Sequence, residues 1–155
     1  DIAFIAGGKE HHSTGERLDG YKEAIKDYGL NINEEFIIDG EYSFESGVEG
    51  AQRLLSLAKT PSAIFSCNDE IAAGALFASR LAGIKIPADL SIVGFENSPF
   101  SRQTWPKLTT ADQPNKTIAK EATALLIAKA RNQKVTGICT QFTPQLVVRD
   151  SSSKV

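Results

Sequence analysis

Short apolar runs alternate along this chain with longer stretches in which apolar positions recur every three to four residues. The runs begin near Ile2 (IAFIA), Phe36 (FIID), Ala63 (AIFS) and Ser91 (SIVGF), and each of the first three leads into a helical pattern. Regular alternation of this kind predicts βαβ units, hence an α/β fold with a parallel sheet flanked by helices. The first helix is predicted from about Glu16 to Tyr28, with Leu18, Tyr21, Ala24, Ile25 and Tyr28 on one face. Ser13 and Glu16 have the spacing of a capping box, and Gly29 is a natural stop. The second, from about Phe44 to Ala58, repeats the pattern with Val48, Ala51, Leu54, Leu55 and Ala58 behind a Ser43 N-cap. The third runs from about Asp69 to Ala82 and ends at Gly83, with Pro87 marking the turn into the Ser91 strand.

Beyond Glu96 the pattern changes. Residues 97–108 read as a loop and LTTA as a short extended run. Pro114 opens a long helix from about Asn115 to Arg131, with Ile118, Ala119, Ala122, Leu125 and Leu126 on one side. The extended segments GICTQFT and PQLVVR follow, then a polar tail, SSSKV.

The 155 residues fall within the usual size of a domain, and 41% hydrophobic with 23% charged residues is ordinary for a globular protein. No apolar run approaches the roughly 20 residues that span a bilayer. A net charge of −2, without a basic cluster, argues against this segment gripping nucleic acid itself. Cys67 and Cys139 lie far apart in apolar surroundings, so two buried reduced thiols are expected. Asp1 runs directly into a strand, and the chain holds no methionine. The expectation is of a fragment that has lost an N-terminal portion.

Two strands deliver polar pairs to their carboxyl ends: Asn68-Asp69 and Glu96-Asn97. In an open parallel sheet that edge is where ligands bind. Acceptor-rich pairs suit a polyhydroxylated molecule better than a phosphate or a metal. Adjacent histidines, His11 and His12, have no third ligand nearby in sequence and read as exposed polar residues. No Gly-x-Ser-x-Gly, metal triad or phosphate loop supports an enzyme, and no cofactor is expected.

Five motifs, in order, carry a family likeness: ERLDGY at 16–21, CNDEIAAGAL at 67–76, IPADLSIVGFEN at 86–97, PKLTTADQP at 106–114 and PQLVVRDS at 144–151. Together they span nearly the whole chain. They resemble the C-terminal part of LacI/GalR (lactose and galactose repressor) transcriptional regulators. The resemblance implies a lobe like that of type I periplasmic binding proteins, over residues 1–112. It implies a hinge, helix and strand belonging to the other lobe over 113–143, and a closing strand with polar tail over 144–155. A cytoplasmic homodimer is implied, paired near the helix at 69–82 and the loop at 97–108. A small-molecule effector, a sugar or related metabolite, would alter the affinity for operator DNA, which a separate headpiece reads. A periplasmic sugar-binding protein of a transport system is the rival reading. With the other lobe absent, the helix at 115–131 is expected to dock back, to exchange with a second copy, or to be disordered.

The same resemblance singles out effector contacts. Arg17 would hold effector oxygens with its fork of donors; the alternative is a surface pair with Glu16 or Asp19. Tyr42 aligns with an aromatic that stacks on ligand, with Phe44 a weaker candidate. Tyr42 could instead be a hydrophobic staple before the Ser43 cap. Asn68 offers a donor and an acceptor, yet it also stands where an N-cap is needed. Asp69 is a candidate contact or a partner of the helix dipole. Glu96 stands where the family usually has aspartate, one methylene longer at the same charge. Gln113, at the hinge, would touch ligand from between the lobes or serve the hinge alone.

Overall fold

The computed structural model describes residues 1–135 and 139–153. Six strands form one sheet in the order β2-β1-β3-β4-β5-β6: Ile2–Ile5 (β1), Ile37–Ile38 (β2), Ala63–Ser66 (β3), Ser91–Phe95 (β4), Thr109–Asp112 (β5) and Gln145–Val147 (β6). All neighbours are parallel except β5 and β6, where Thr110 faces Val147 and Asp112 faces Gln145. The helices are His12–Asp27 (α1), Phe44–Leu55 (α2), Asp69–Leu81 (α3), Phe100–Gln103 (α4) and Asn115–Ala130 (α5).

Strand periodicity decides what each face meets. Phe4 and Phe65 are register partners on one face, where Tyr21 of α1 stacks on Phe4 with ring centroids 5.4 Å apart. Ile5 points the other way, into α2 beneath Gly50. That second face carries Ile64, Ser66, Ile92 and Gly94 in register, and α2 and α3 cover it. Helices α2 and α3 cross at close range through small residues. A Cβ on Gly47 would strike the carbonyl of Ile71, and one on Gly74 the carbonyl of Phe44. The core, from Ala3–Ala6 through Leu54, Ile64, Ile71, Ala75 and Ile92 to Leu108, is fully buried between these layers. Helix α1 is alone on its own face, and a groove of about 840 Å³ lies beside it over Phe65 and Phe95.

Several expectations change. Helix α1 begins at His12, with His11 as a cap that makes no side-chain bond, so Ser13 and Glu16 form no capping box. Ser13 instead sits 3.3 Å from the Tyr42 hydroxyl, and Glu16 lies 3.4 Å from His12. Helix α2 stops at Leu55, three residues early, whereas Ser43 caps it as read, accepting from Ser46 N–H. The loop at 97–108 contains the short α4. Residues 139–143 are not a strand, and Thr136, Gly137 and Ile138 lie outside the described residues. Cys67 is buried but Cys139 is exposed, because no strand carries it into a core. Helix α5 is formed but does not dock back: none of its residues is buried, and Leu125, Leu126 and Ile127 are 41%, 68% and 48% exposed. Its apolar residues extend round the helix beyond the expected side, through Ala124 and Ile127.

Candidate functional site

The carboxyl ends of β1, β3, β4 and β5 open onto one edge, and each contributes a distinct group. After β1 the chain runs Gly7-Gly8, and Tyr42, just before α2, lays its ring on Gly7. A Cβ there would come within 2.5 Å of the ring. The Tyr42 hydroxyl meets Thr14 Oγ1 at 2.9 Å and Cys67 Sγ at 3.3 Å, and the His11 ring packs edge-on at 5.1 Å. The staple alternative fails for want of a partner, because the residue four past the Ser43 cap is Gly47.

Arg17, from the second turn of α1, reaches across the edge. Its Nη1 donates to the Cys67 carbonyl at 2.8 Å and lies 3.8 Å from Glu96 Oε1. The guanidinium sits over the Phe95 ring, 4.1 Å from its centroid. It pairs with neither Glu16 nor Asp19. A guanidinium stacked on an aromatic and tied to a carbonyl is preorganised, and Arg17 is one of the residues lining the groove.

Asn68 follows β3 and caps α3, its Oδ1 accepting from Ile71 N–H at 2.9 Å. Both readings of this residue are compatible, since a cap uses only the oxygen. Among the described residues nothing engages its NH2.

Asp69 is different: it is completely buried and turned inward. Its Oδ1 accepts from the Thr110 hydroxyl and its Oδ2 from Ser98 N–H, both at 2.6 Å. Gly94 has no Cβ where this carboxylate lies. Burial pushes its pKa up, opposed by the bonds from Thr110 and Ser98 and by the charge of Arg149. As placed, Asp69 offers a ligand nothing and ties α3 to β5 and the loop after β4.

Glu96, about a third exposed at its side chain, faces Arg17. Burial raises its pKa most, the Arg17 charge lowers it, and the charges of Asp69 and Glu70 raise it again. Its backbone has φ of +106° and that of Asn97 +55°, two successive non-glycine residues in the left-handed region. Gln113, one residue past β5, lines the groove with Arg17 and Phe95.

Thus Arg17, Tyr42, Asn68, Glu96 and Gln113 share one edge, and Asp69 stands behind it. Sequence reading missed Phe95 and Arg149. Phe95 was legible, being the alternate-face neighbour of Glu96 on a period-2 strand. Arg149 was not, because only the β5–β6 pairing brings it near Asn97. The arrangement holds a carboxylate, a guanidinium, two amides and two aromatic rings at one edge, which suits hydrogen bonding to a polar small molecule. Among the described residues no group of three His, Cys, Asp or Glu side chains gathers to hold a metal, and no helix is long and apolar enough to cross a membrane.

Known proteins share this sequence and shape. The family model described as periplasmic binding protein-like domain matches residues 1–152. The HTH-type transcriptional repressor CytR of Escherichia coli (strain K12) is 36% identical over 151 residues, which are 97% of this chain and 44% of CytR. The HTH-type transcriptional repressor PurR of Vibrio vulnificus (strain CMCP6) is 30% identical over 154 residues, 99% of this chain and 46% of PurR. Among solved structures, the transcriptional regulator CelR in complex with cellobiose superposes with a TM-score of 0.91 at 29% identity, covering 97% of this chain and 46% of CelR. The E. coli transcriptional repressor AscG superposes with a TM-score of 0.91 at 32% identity, covering 97% of this chain and 55% of AscG. The chain spans about half the length of these relatives, all described as transcriptional regulators or repressors and none as an enzyme. It belongs to the periplasmic binding protein-like domain family and corresponds to the C-terminal effector-binding part of LacI-family regulators.

Proposed function

We propose that this chain is the effector-sensing and dimerisation part of a LacI/GalR-type repressor. The carrying observation is the convergence of Arg17, Tyr42, Asn68, Glu96 and Gln113 on the carboxyl edge of the sheet, where the chain leaves β5 towards α5. Residues 1–112 form the C-terminal lobe, 113–143 belong to the opposing lobe, and β6 returns to the sheet. The exposed α5, with no buried residue, supports that division. A neutral polyhydroxylated effector, such as the cellobiose of the CelR complex, would donate to Glu96, accept from Arg17 and Asn68, and lay an apolar ring face against Tyr42. Closure of the lobes on it shifts the balance between DNA-competent and DNA-incompetent dimers, through its different affinity for the two.

The homodimer is assigned to the face of α3 and α4. Phe77, Leu81 and Trp105 are 49%, 73% and 72% exposed there, beside Phe100 and Phe44. Operator DNA would be read outside this segment, in the cytoplasm. That the relatives are named as repressors favours this reading over a periplasmic transport receptor.

The test uses the intact protein on its operator. Fluorescence anisotropy follows DNA affinity against a panel of neutral mono- and disaccharides, including cellobiose, and nucleosides. One or more members should change DNA affinity, and R17A and E96A should keep DNA binding while losing the response. An R17A protein that responds like wild type would overturn the proposed site.

A further inference from the structure

We propose that Arg149 and Asp69 are positioning residues for the effector corner, holding Glu96 through Asn97 and Ser98 without touching the ligand. The proposal rests on the reading of Glu96 as an effector contact.

Two successive L residues in the left-handed region persist only where their surroundings over-determine them. Here the surroundings do so from three sides. Glu96 N–H donates to the Ala111 carbonyl at 2.8 Å, continuing the β4–β5 ladder by one residue. Asn97 N–H lies 3.3 Å from Thr110 Oγ1, and that hydroxyl donates to Asp69. Ser98 N–H donates to the other Asp69 oxygen. Asp69 therefore anchors the backbone after Glu96 from beneath, directly and through Thr110.

Arg149 holds the corner from the side. Its Nη2 donates to Asn97 Oδ1 at 2.6 Å, while Nη1 donates to the Leu108 carbonyl at 2.7 Å and its own N–H to Thr109 Oγ1 at 2.9 Å. One prong thus grips the residue just before β5 and the other grips the strained residue next to Glu96. The Asn97 oxygen also accepts from Ser101 of α4 at 3.2 Å. With its side chain held this way, Asn97 cannot relax to a right-handed conformation without breaking a charge-assisted bond. That conformation aims Glu96 at Arg17. Because Arg149 lies just past β6, a shift of β6 against β5 is transmitted to the corner.

The test needs no ligand, so it stands apart from the identity of any effector. The full 155-residue chain is labelled with ¹³C and ¹⁵N. NMR then reads the backbone couplings of residues 96 and 97 and the titration of the Glu96 carboxyl. In Arg149→Met the couplings should lose their left-handed values and the Glu96 midpoint should shift, while signals of β1, α2 and the body of α3 stay in place. Arg149→Lys should restore the couplings in part. Asp69→Asn should disturb the same two residues. If Arg149→Met fails to fold, Arg149→Gln takes its place, keeping a donor for Leu108 but too short to bridge to Asn97. Unchanged couplings and an unchanged Glu96 midpoint in the folded Arg149 variant would overturn the proposal. So would changes confined to β5 and β6, which would make Arg149 a brace for the sheet edge alone.

Discussion

The guanidinium of Arg17 lies over the ring of Phe95 at 4.1 Å, so a residue of α1 is held at the sheet edge by the side chain next to Glu96. A cation–π contact of this kind contributes about 0.5–2 kcal/mol. Phe95→Leu should therefore weaken effector binding by roughly 2- to 30-fold. Calorimetry on the intact protein checks this; an unchanged affinity would mean that the Cys67 carbonyl alone holds Arg17.

Burial raises the pKa of both Glu96 and Asp69 above their ordinary values. A carboxyl raised on folding favours the folded state while it is protonated. That contribution is complete below the unfolded value, about 4.3 for glutamate and 3.9 for aspartate. It is lost as pH rises through the raised folded value. Glu96→Gln cannot titrate, so wild type should lose stability relative to E96Q between about pH 3 and about pH 7. Urea midpoints at the two pH values test the sign, and the opposite trend would mean that the Arg17 charge outweighs burial.

Gly47 and Gly74 each lie where an added methyl would meet a carbonyl of the facing helix. Gly47→Ala and Gly74→Ala should each cost about 1–3 kcal/mol, because α2 and α3 must part to admit the methyl. Both sit at one crossing, so the double variant should cost less than the sum. Thermal unfolding of the three proteins measures this.

The apolar face of α3 and α4 should carry the dimer. Phe77→Asp or Leu81→Asp places a charge among exposed apolar groups, and the intact protein should then sediment as a monomer with its fold retained. Sedimentation as a dimer would move the interface elsewhere.

Helix α5 has no buried side chain, and helices of its length are marginal in water without packing. Amide exchange over Asn115–Ala130 in this chain should run orders of magnitude faster than over Asp69–Leu81, most of whose residues are buried.

The parallel sheet and three main helices were legible because each depends on local periodicity: runs such as AIFS, and the stripe of Val48, Ala51 and Leu54. The edge carrying Asn68 and Glu96 was legible because strand ends can be read off the same pattern. Other features depend on partners distant in sequence. The start of α1 at His12 was hidden because the Ser13 hydroxyl meets Tyr42 instead of the backbone. Asp69 reads like any acidic residue in a helix's first turn; only its contacts with Thr110 and Ser98, 41 and 29 residues away, turn it inward. Of the alternatives read for α5, docking back is the one the structure contradicts, because among the described residues no part of this lobe covers its apolar side chains.

Ser151 stitches two strands together: its carbonyl accepts from Ile92 N–H, and its hydroxyl accepts from Thr109 N–H and donates to the Ile92 carbonyl. These contacts join residues 59 and 42 positions apart. A ribosome adding about 5–20 residues per second takes roughly 2 to 12 s to bridge such gaps. Once Gln113 has been made the ligand-facing groups are complete, yet until Ser151 follows the start of β5 stays unsewn, a window in which chaperones meet an unfinished sheet.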